Sequence, residues 1–391
     1  MDGLLLDRHT SVLGLLRSSL HLSVLRLAQH GRVVGLLGSI VILIVIAAST
    51  LFAGEGKILV KGDPEAIPVG HVKFFRPGAI WPDNNGVHIN AHGGGMISVN
   101  AEGFTPVVGK KTYWFGEHKI EGDAGNVAQV GVHCYSSSDL YNWKDEGIAL
   151  AVSDDPESDI IKGCVLERPK VIYNKKTRKY VMWFHLELKG QGYTAARTGV
   201  AVSDKVTGPY KFIESFRPDG QESRDMTVYV DDDEKAYLLH ASENNATLHI
   251  SLLTDDYLRP AGKFERVFEG RFMEAPAVFK HHGKYYFIAS DCTGWAPNAA
   301  RSAVADKITG PWTELGNPCI GTREQCSVTF TSQSTYILPV PGKKDAFIFM
   351  ADRWRPENAI DGRYIWLPIE FENGRPVIRW MDQWDLGVWA Q

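Results

Sequence analysis

Five polar residues recur where the chain is otherwise apolar. His92, Glu167, Asp225, Glu274 and Gln333 each open or sit in a short polar cluster that leads into a run of Val, Ile, Tyr and Phe. The clusters read His92-Gly93-Gly94, Glu167-Arg168-Pro169, Arg224-Asp225-Met226, Glu274-Ala275-Pro276 and Ser332-Gln333-Ser334, and the five named positions lie 75, 58, 49 and 59 residues apart. Carboxyl groups that share a low-dielectric site cannot all ionise freely. One of them keeps its proton to higher pH and can then act as a general acid. The plainer alternative is that each polar residue hydrogen-bonds a neighbouring strand or a water.

The elements that must position these residues also repeat. Strand segments ending in aromatic pairs occur at 110–118, 178–187, 234–242, 283–290 and 344–354, each following one of the polar clusters. Similar turn-and-strand text recurs at 137–147, 203–212 and 305–315. A period of about sixty residues, all of it strands and turns, predicts a five-bladed β-propeller over residues 71–391. In such a ring the first residue of every blade faces a common channel, so the five positions converge. Gathering several acids on one axis is costly, and a substrate pocket is the ordinary reason to bear that cost.

Two of the clusters carry a resemblance. Arg224-Asp225 with the strand and turn that follow it, and Glu274-Ala-Pro-Ala-Val-Phe-Lys-His-His-Gly-Lys-Tyr-Tyr-Phe, resemble the third- and fourth-blade motifs of glycoside hydrolase family 43. Members usually open blade one with Asp-Pro, the Asp being the general base, whereas this chain has Asn90-Ala-His92-Gly-Gly-Gly95. That loss, together with Trp114-Phe-Gly-Glu117-His118, Glu167-Arg-Pro-Lys170 and Ser332-Gln-Ser-Thr335, resembles the exo-β-1,3-galactanase branch, subfamily 24. The resemblance implies an inverting, exo-acting enzyme that releases galactose from the β-1,3-galactan backbone of arabinogalactan. It implies Glu274 as the acid, with Glu117, Glu167, Tyr193, Asp225, Asn245, Thr293 and Gln333 around the terminal galactose. With no carboxylate in the blade-one slot, Gln333 is the first candidate to position the water, in its amide or a minor imidic-acid form. Glu167 and then His92 are the other base candidates. An α-L-arabinofuranosidase or β-xylosidase on the same scaffold, or a non-catalytic carbohydrate-binding propeller, are the competing readings. No cofactor and no metal enter any of them.

Other features take structural readings first. Trp295, Trp354 and Trp366 pack between blades or stack on sugar faces. Gly93-Gly94-Gly95 has no helix after it and reads as close backbone packing at the channel, not as a phosphate loop. His281-His282 reads as a solvated hairpin turn, and Asp231-Asp232-Asp233 as turn text without the spaced ligands of a calcium loop. Cys319 and Cys326 could close a small disulfide loop, and five Cys leave at least one thiol unpaired. Asn245-Ala246-Thr247 is a glycosylation sequon. A glycan there would block the pocket in which the resemblance places Asn245, so Asn245 is expected bare, with its amide on a galactose hydroxyl.

The chain has 391 residues, 42 Lys and Arg against 46 Asp and Glu, and 11% aromatics. That balance argues against a nucleic-acid partner, which needs a clustered basic excess. Val33 to Ala53 contains no charge and follows Arg8, Arg17, Arg26 and Arg32. About twenty apolar residues span a bilayer, and the basic flank stays cytosolic. The predicted organisation is a cytoplasmic tail at 1–32, a transmembrane signal-anchor at 33–53, a linker at 54–70 and the propeller beyond. This makes a single-pass type II membrane protein with a lumenal catalytic domain, placed in the Golgi. Cleavage near Ala47-Ala48, giving a secreted form, is the alternative.

Overall fold

A computed structural model describes residues 63–99 and 111–390, together with Ile58. The predicted tail and membrane span lie outside the described residues. Among those described, no helix is long and apolar enough to cross a membrane. The described residues form twenty-one strands in five sheets. Blade one is β1 (His92–Val99), β2 (Lys111–His118), β3 (Gly131–Ser137) and β4 (Lys144–Ala151). Blade two is β5 (Val165–Asn174), β6 (Lys179–Glu187), β7 (Arg197–Ser203) and β8 (Lys211–Phe216). Blade three is β9 (Met226–Val230), β10 (Ala236–Ser242), β11 (Thr247–Leu253) and β12 (Pro260–Val267). Blade four is β13 (Met273–His281), β14 (Lys284–Asp291), β15 (Arg301–Ala305) and β16 (Thr313–Gly316). Blade five is β18 (Gln333–Pro339), β19 (Phe347–Arg353), β20 (Arg363–Glu372) and β21 (Arg375–Arg379), with the two-residue β17 (Cys319–Ile320) added in parallel to β21.

Within each blade consecutive strands pair antiparallel, and β1, β5, β9, β13 and β18 each touch the next around a closed ring. The five-bladed propeller is therefore the fold. The inner strands are buried nearly throughout because both of their faces are covered, whereas the outer β4, β8, β12 and β16 reach solvent. In β6, Met182 and Phe184 pack toward blade one, while Val181 and Trp183 pack toward blade three. That is strand periodicity placed between two neighbours, each with its own apolar layer.

The layer between blades five and one holds the ends of the ring. Phe75 stacks on Trp384 at 4.3 Å and exchanges backbone hydrogen bonds with it, among Trp81, Trp114, Trp143 and Trp366. Ile67 is buried in the same layer, so the folded body begins within the predicted linker. All five cysteines are free thiols. The loop closure considered for Cys319 and Cys326 is not made, because Cys326 lies on a one-turn helix (Arg323–Ser327) that turns its Sγ to the Cys319 carbonyl at 3.2 Å.

Candidate active site

Three of the innermost strands begin with the same irregularity. Strand register slips just after His92, Glu167 and Glu274, and the residue following each has positive φ: Gly93 (58°), Arg168 (55°) and Ala275 (53°). A bulge of this kind bends the strand and re-aims a side chain that regular pairing would send into an inter-blade layer. Positive φ strains Arg168 and Ala275, a cost that recurs at functional sites. Gly93 and Gly94 show why blade one needs glycine: a Cβ on Gly94 would lie 2.1 Å from the Phe115 carbonyl, and one on Gly93 2.1 Å from Glu117 Oε1.

The bulges open a funnel of about 320 Å³ lined by Glu117, Glu167, Tyr193, Asp225, Asn245, Glu274 and Gln333. Seven of the nine predicted site residues thus come together. A larger cavity of about 750 Å³ lies at the opposite ends of the inner strands. Its acids are paired with lysines, Asp231 and Asp232 with Lys280 and Glu234 with Lys175.

Glu274 accepts a hydrogen bond from Asn245 Nδ2 at 2.9 Å. Burial, and then the Asp225 carboxylate, push its pKa up to about 7. Asp225 pairs with Arg168 Nη2 at 2.9 Å and accepts the Ala275 amide at 3.0 Å. Burial works against the charge on Glu167. His185 at 3.1 Å and the Tyr193 hydroxyl at 2.8 Å nevertheless hold it down to about 2. His185 is caught between Glu167 and Glu187, which raise it to about 9 despite its burial, so it is an imidazolium. Glu117 is pushed up by burial; it pairs with Lys119 and accepts the Arg168 amide at 3.0 Å. The funnel therefore sets Glu274, raised to about 7, beside Glu167, lowered to about 2.

Gln333 is fixed by three contacts. Its Oε1 accepts from Arg168 Nη2 at 2.6 Å and from Trp354 Nε1 at 2.9 Å, while its Nε2 donates to Ser290 Oγ at 2.9 Å. Two N–H donors on one oxygen favour the carbonyl form, since an imidic-acid hydroxyl would confront them with a third hydrogen. One Nε2 hydrogen remains for a water or a sugar hydroxyl.

Two predicted residues lie elsewhere. His92 is 0% exposed, sealed beneath the funnel against Tyr364 and 3.9 Å from Asp352, and burial holds its pKa well below the usual value. It is a neutral wall residue out of reach of a water in the funnel. Thr293 turns its hydroxyl into its own loop, donating to the Ala296 carbonyl at 2.6 Å and accepting from Asn298 at 2.7 Å. That bracing presents the neighbouring Trp295, which is 39% exposed and meets Trp354 edge-on at 5.7 Å. Both Trp residues line the funnel, whereas Trp366 is core.

Arg168, Lys170 and Asp352 escaped the residue-type reading. Arg168 joins Asp225, Gln333 and the Ser334 carbonyl, with Trp354 beneath its guanidinium. Lys170 donates to the Gly93 carbonyl at 2.9 Å, and burial drags it down to about 7. Asp352 accepts the Gly93 amide at 2.6 Å, and burial pushes it up to about 7. The cue for Arg168 was its place between a blade-opening Glu and a Pro.

Residues 104–375 match the family model for glycosyl hydrolases family 43. A family 43 β-1,3-galactosidase solved with galactodeoxynojirimycin is 48% identical, with a TM-score of 0.75 over 80% of this chain and 100% of that one. The exo-β-1,3-galactanase of Phanerochaete chrysosporium, solved with β-1,3-galactotriose, is 37% identical, with a TM-score of 0.72 over 82% of this chain and 69% of that one. A xylosidase/arabinosidase of Bacteroides ovatus is 30% identical over 233 residues, which are 48% of this chain and 67% of that protein.

Proposed function

The chain belongs to glycosyl hydrolases family 43, and from that membership we infer that it is an exo-acting glycosidase releasing galactose from β-1,3-galactan. The observation that carries the choice of sugar is the 48% identity across the whole of a β-1,3-galactosidase, against 30% to the xylosidase/arabinosidase. The site chemistry agrees. Glu274 keeps its proton near neutrality and gives it to the leaving oxygen, and the Asp225 carboxyl, paired with Arg168, adds to the burial that raises it. Gln333 takes the water-positioning role through its spare N–H. Glu167, already at about 2 and bonded on both oxygens, is a poor base and suits a sugar hydroxyl better. In an inverting reaction the acid and the attacking water work from opposite faces of the ring. Blade four supplies the first and blade five the holder of the second.

The test is incubation of the purified chain with β-1,3-galactan, arabinoxylan and arabinan. Galactose from the first alone is the expected result. Arabinose or xylose from the others would favour the arabinofuranosidase or xylosidase reading, and binding without product the lectin-like one.

We further propose that residues 33–53 anchor the chain, uncleaved, with the N-terminus cytosolic and the propeller in the Golgi lumen. The uncharged run and the four preceding Arg support it. In protease protection on intact microsomes the propeller should survive until detergent is added. Digestion without detergent would reject the orientation, and a soluble, shortened chain would reject the anchor.

A further inference from the structure

The rim of the funnel is uneven. The connections that join the second strand of each blade to its third, taken from blade one to blade five, are 119–130, 188–196, 243–246, 292–300 and 354–362. Blade one thus carries the longest, at twelve residues, and blade three a turn of four. The long connection is stitched down along its length. At its start the Lys119 amide donates to Asn90 Oδ1 at 2.8 Å, and Asn90 Nδ2 donates back to the Lys119 carbonyl at 2.8 Å. Toward blade five, the Gly122 amide donates to Asn358 Oδ1 at 3.0 Å, and the Gly122 carbonyl accepts the Ala359 amide at 2.9 Å. Toward blade two, the Ala128 amide donates to the Cys164 carbonyl at 2.7 Å, and the Ala128 carbonyl accepts the Gly163 amide at 2.8 Å.

Between those anchors the strap leans over the funnel. Gly125 is buried, and a Cβ on it would lie 2.8 Å from Ala359 Cβ and 3.6 Å from the Trp295 ring. Trp295 belongs to blade four, which does not adjoin blade one in the ring, so the strap reaches inward. Asn126, the next residue, lines the funnel and hydrogen-bonds the Tyr193 hydroxyl, which in turn donates to Glu167 at 2.8 Å. The funnel is thereby closed over blades one and two, across the ring from Glu274. It stays low over blade three, where Asn245 in the four-residue turn meets Glu274. Its volume of about 320 Å³ is at the lower end of the range for small-ligand pockets, about 300–1,000 Å³, and suits one sugar ring without a passage for a chain running through.

Resting on the galactan reading, we propose that the 119–130 strap is the end wall that restricts cleavage to a chain terminus, with Asn126 the residue that excludes a substituent on O3 of the terminal galactose. The placement follows from the acid. Glu274 must stand at the glycosidic oxygen on C1, so the C3–C4 edge of the same ring points across the channel to blades one and two. In a β-1,3-linked chain, O3 is where a further galactose would be attached. A wall there admits a free hydroxyl, which the Asn126 amide meets with a hydrogen bond, and rejects a glycosyl or even a methyl group. The strap cannot swing aside, because Asn90, Asn358 and the Cys164 carbonyl hold it. The low turn of blade three leaves the side of the departing chain open.

The test uses the purified full chain and two trisaccharides, β-1,3-galactotriose and the same sugar with a 3-O-methyl group on its terminal galactose. Wild type should release galactose from the first and act on the second about a hundredfold more slowly in kcat/KM. Asn126→Ala vacates the space of a methyl group and should raise the ratio of second to first about tenfold, even if its contact with Tyr193 makes both rates fall. Replacing residues 121–126 with Gly-Gly should raise the ratio further and yield oligosaccharides from within β-1,3-galactan. Asn126 is a half-buried loop residue, so its truncation should leave circular dichroism and Tm unchanged even where the shortened strap does not fold. A strap with only a structural role would lower both rates together and leave the ratio alone. That result in Asn126→Ala, or equal wild-type rates on the two sugars, would overturn the proposal. Cleavage of neither sugar by wild type would overturn the galactan reading itself, and the proposal with it.

Discussion

At the residue scale, Glu274 works as a donor only while protonated, and its elevated pKa comes from burial and then from Asp225. The sign follows: turnover should be full below about 7 and fall as pH rises through that value. Asp225→Asn removes the charge that holds the proton and leaves Arg168 uncompensated, so the falling limb should move to lower pH in a pH–rate profile. Glu274→Gln keeps the shape but has no acidic proton. Its kcat should drop about a hundred- to ten-thousand-fold with galactose binding preserved in calorimetry. Asn245 is subtler. Its Nδ2 donates to Glu274, while its buried Oδ1 meets no protein donor and suits a galactose hydroxyl. A glycan on Nδ2 would crowd the acid, so mass spectrometry of active enzyme should find this sequon bare; full occupancy with intact activity would contradict the assignment. The acids were legible because their type clashes with the text around them. Arg168 was not, because an Arg beside a Glu reads as a simple pair until the backbone shows it reaching across the channel.

At the element scale, the blade-opening bulges decide what faces the funnel. A Cβ on Gly94 would meet the Phe115 backbone, which cannot move aside as a flexible side chain can. Gly94→Ala should therefore lower stability by about 1–3 kcal/mol, read as a lower denaturation midpoint, and depress activity because β1 carries the floor under Glu117. The strands were legible from their period and aromatic endings. His92 was misplaced because sequence order gives a blade its first residue but does not show how deep that residue sits. Thr293 was misplaced because its loop bonds to itself. In both cases the backbone path, set by positive φ and local hydrogen bonds, outweighs residue type.

At the scale of the whole molecule, the five blades were legible from repetition, while the closure was not. Phe75 and Trp384 are far apart in sequence and belong to no repeat, yet they join the ring in a layer of tryptophans. Trp384→Ala removes a buried indole from that seam and should cost about 3–5 kcal/mol in chemical denaturation. The seam also has a consequence in time. The funnel takes Glu117 from blade one, Glu167 from blade two, Asp225 from blade three, Glu274 from blade four and Gln333 from blade five, so no partial ring contains it. Trp384, which pairs with Phe75 to lock the ring, follows every funnel residue along the chain. A chain that lacks blade five is thus chemically silent, and hydrolysis begins only when the segment carrying Trp384 seats against the one carrying Phe75.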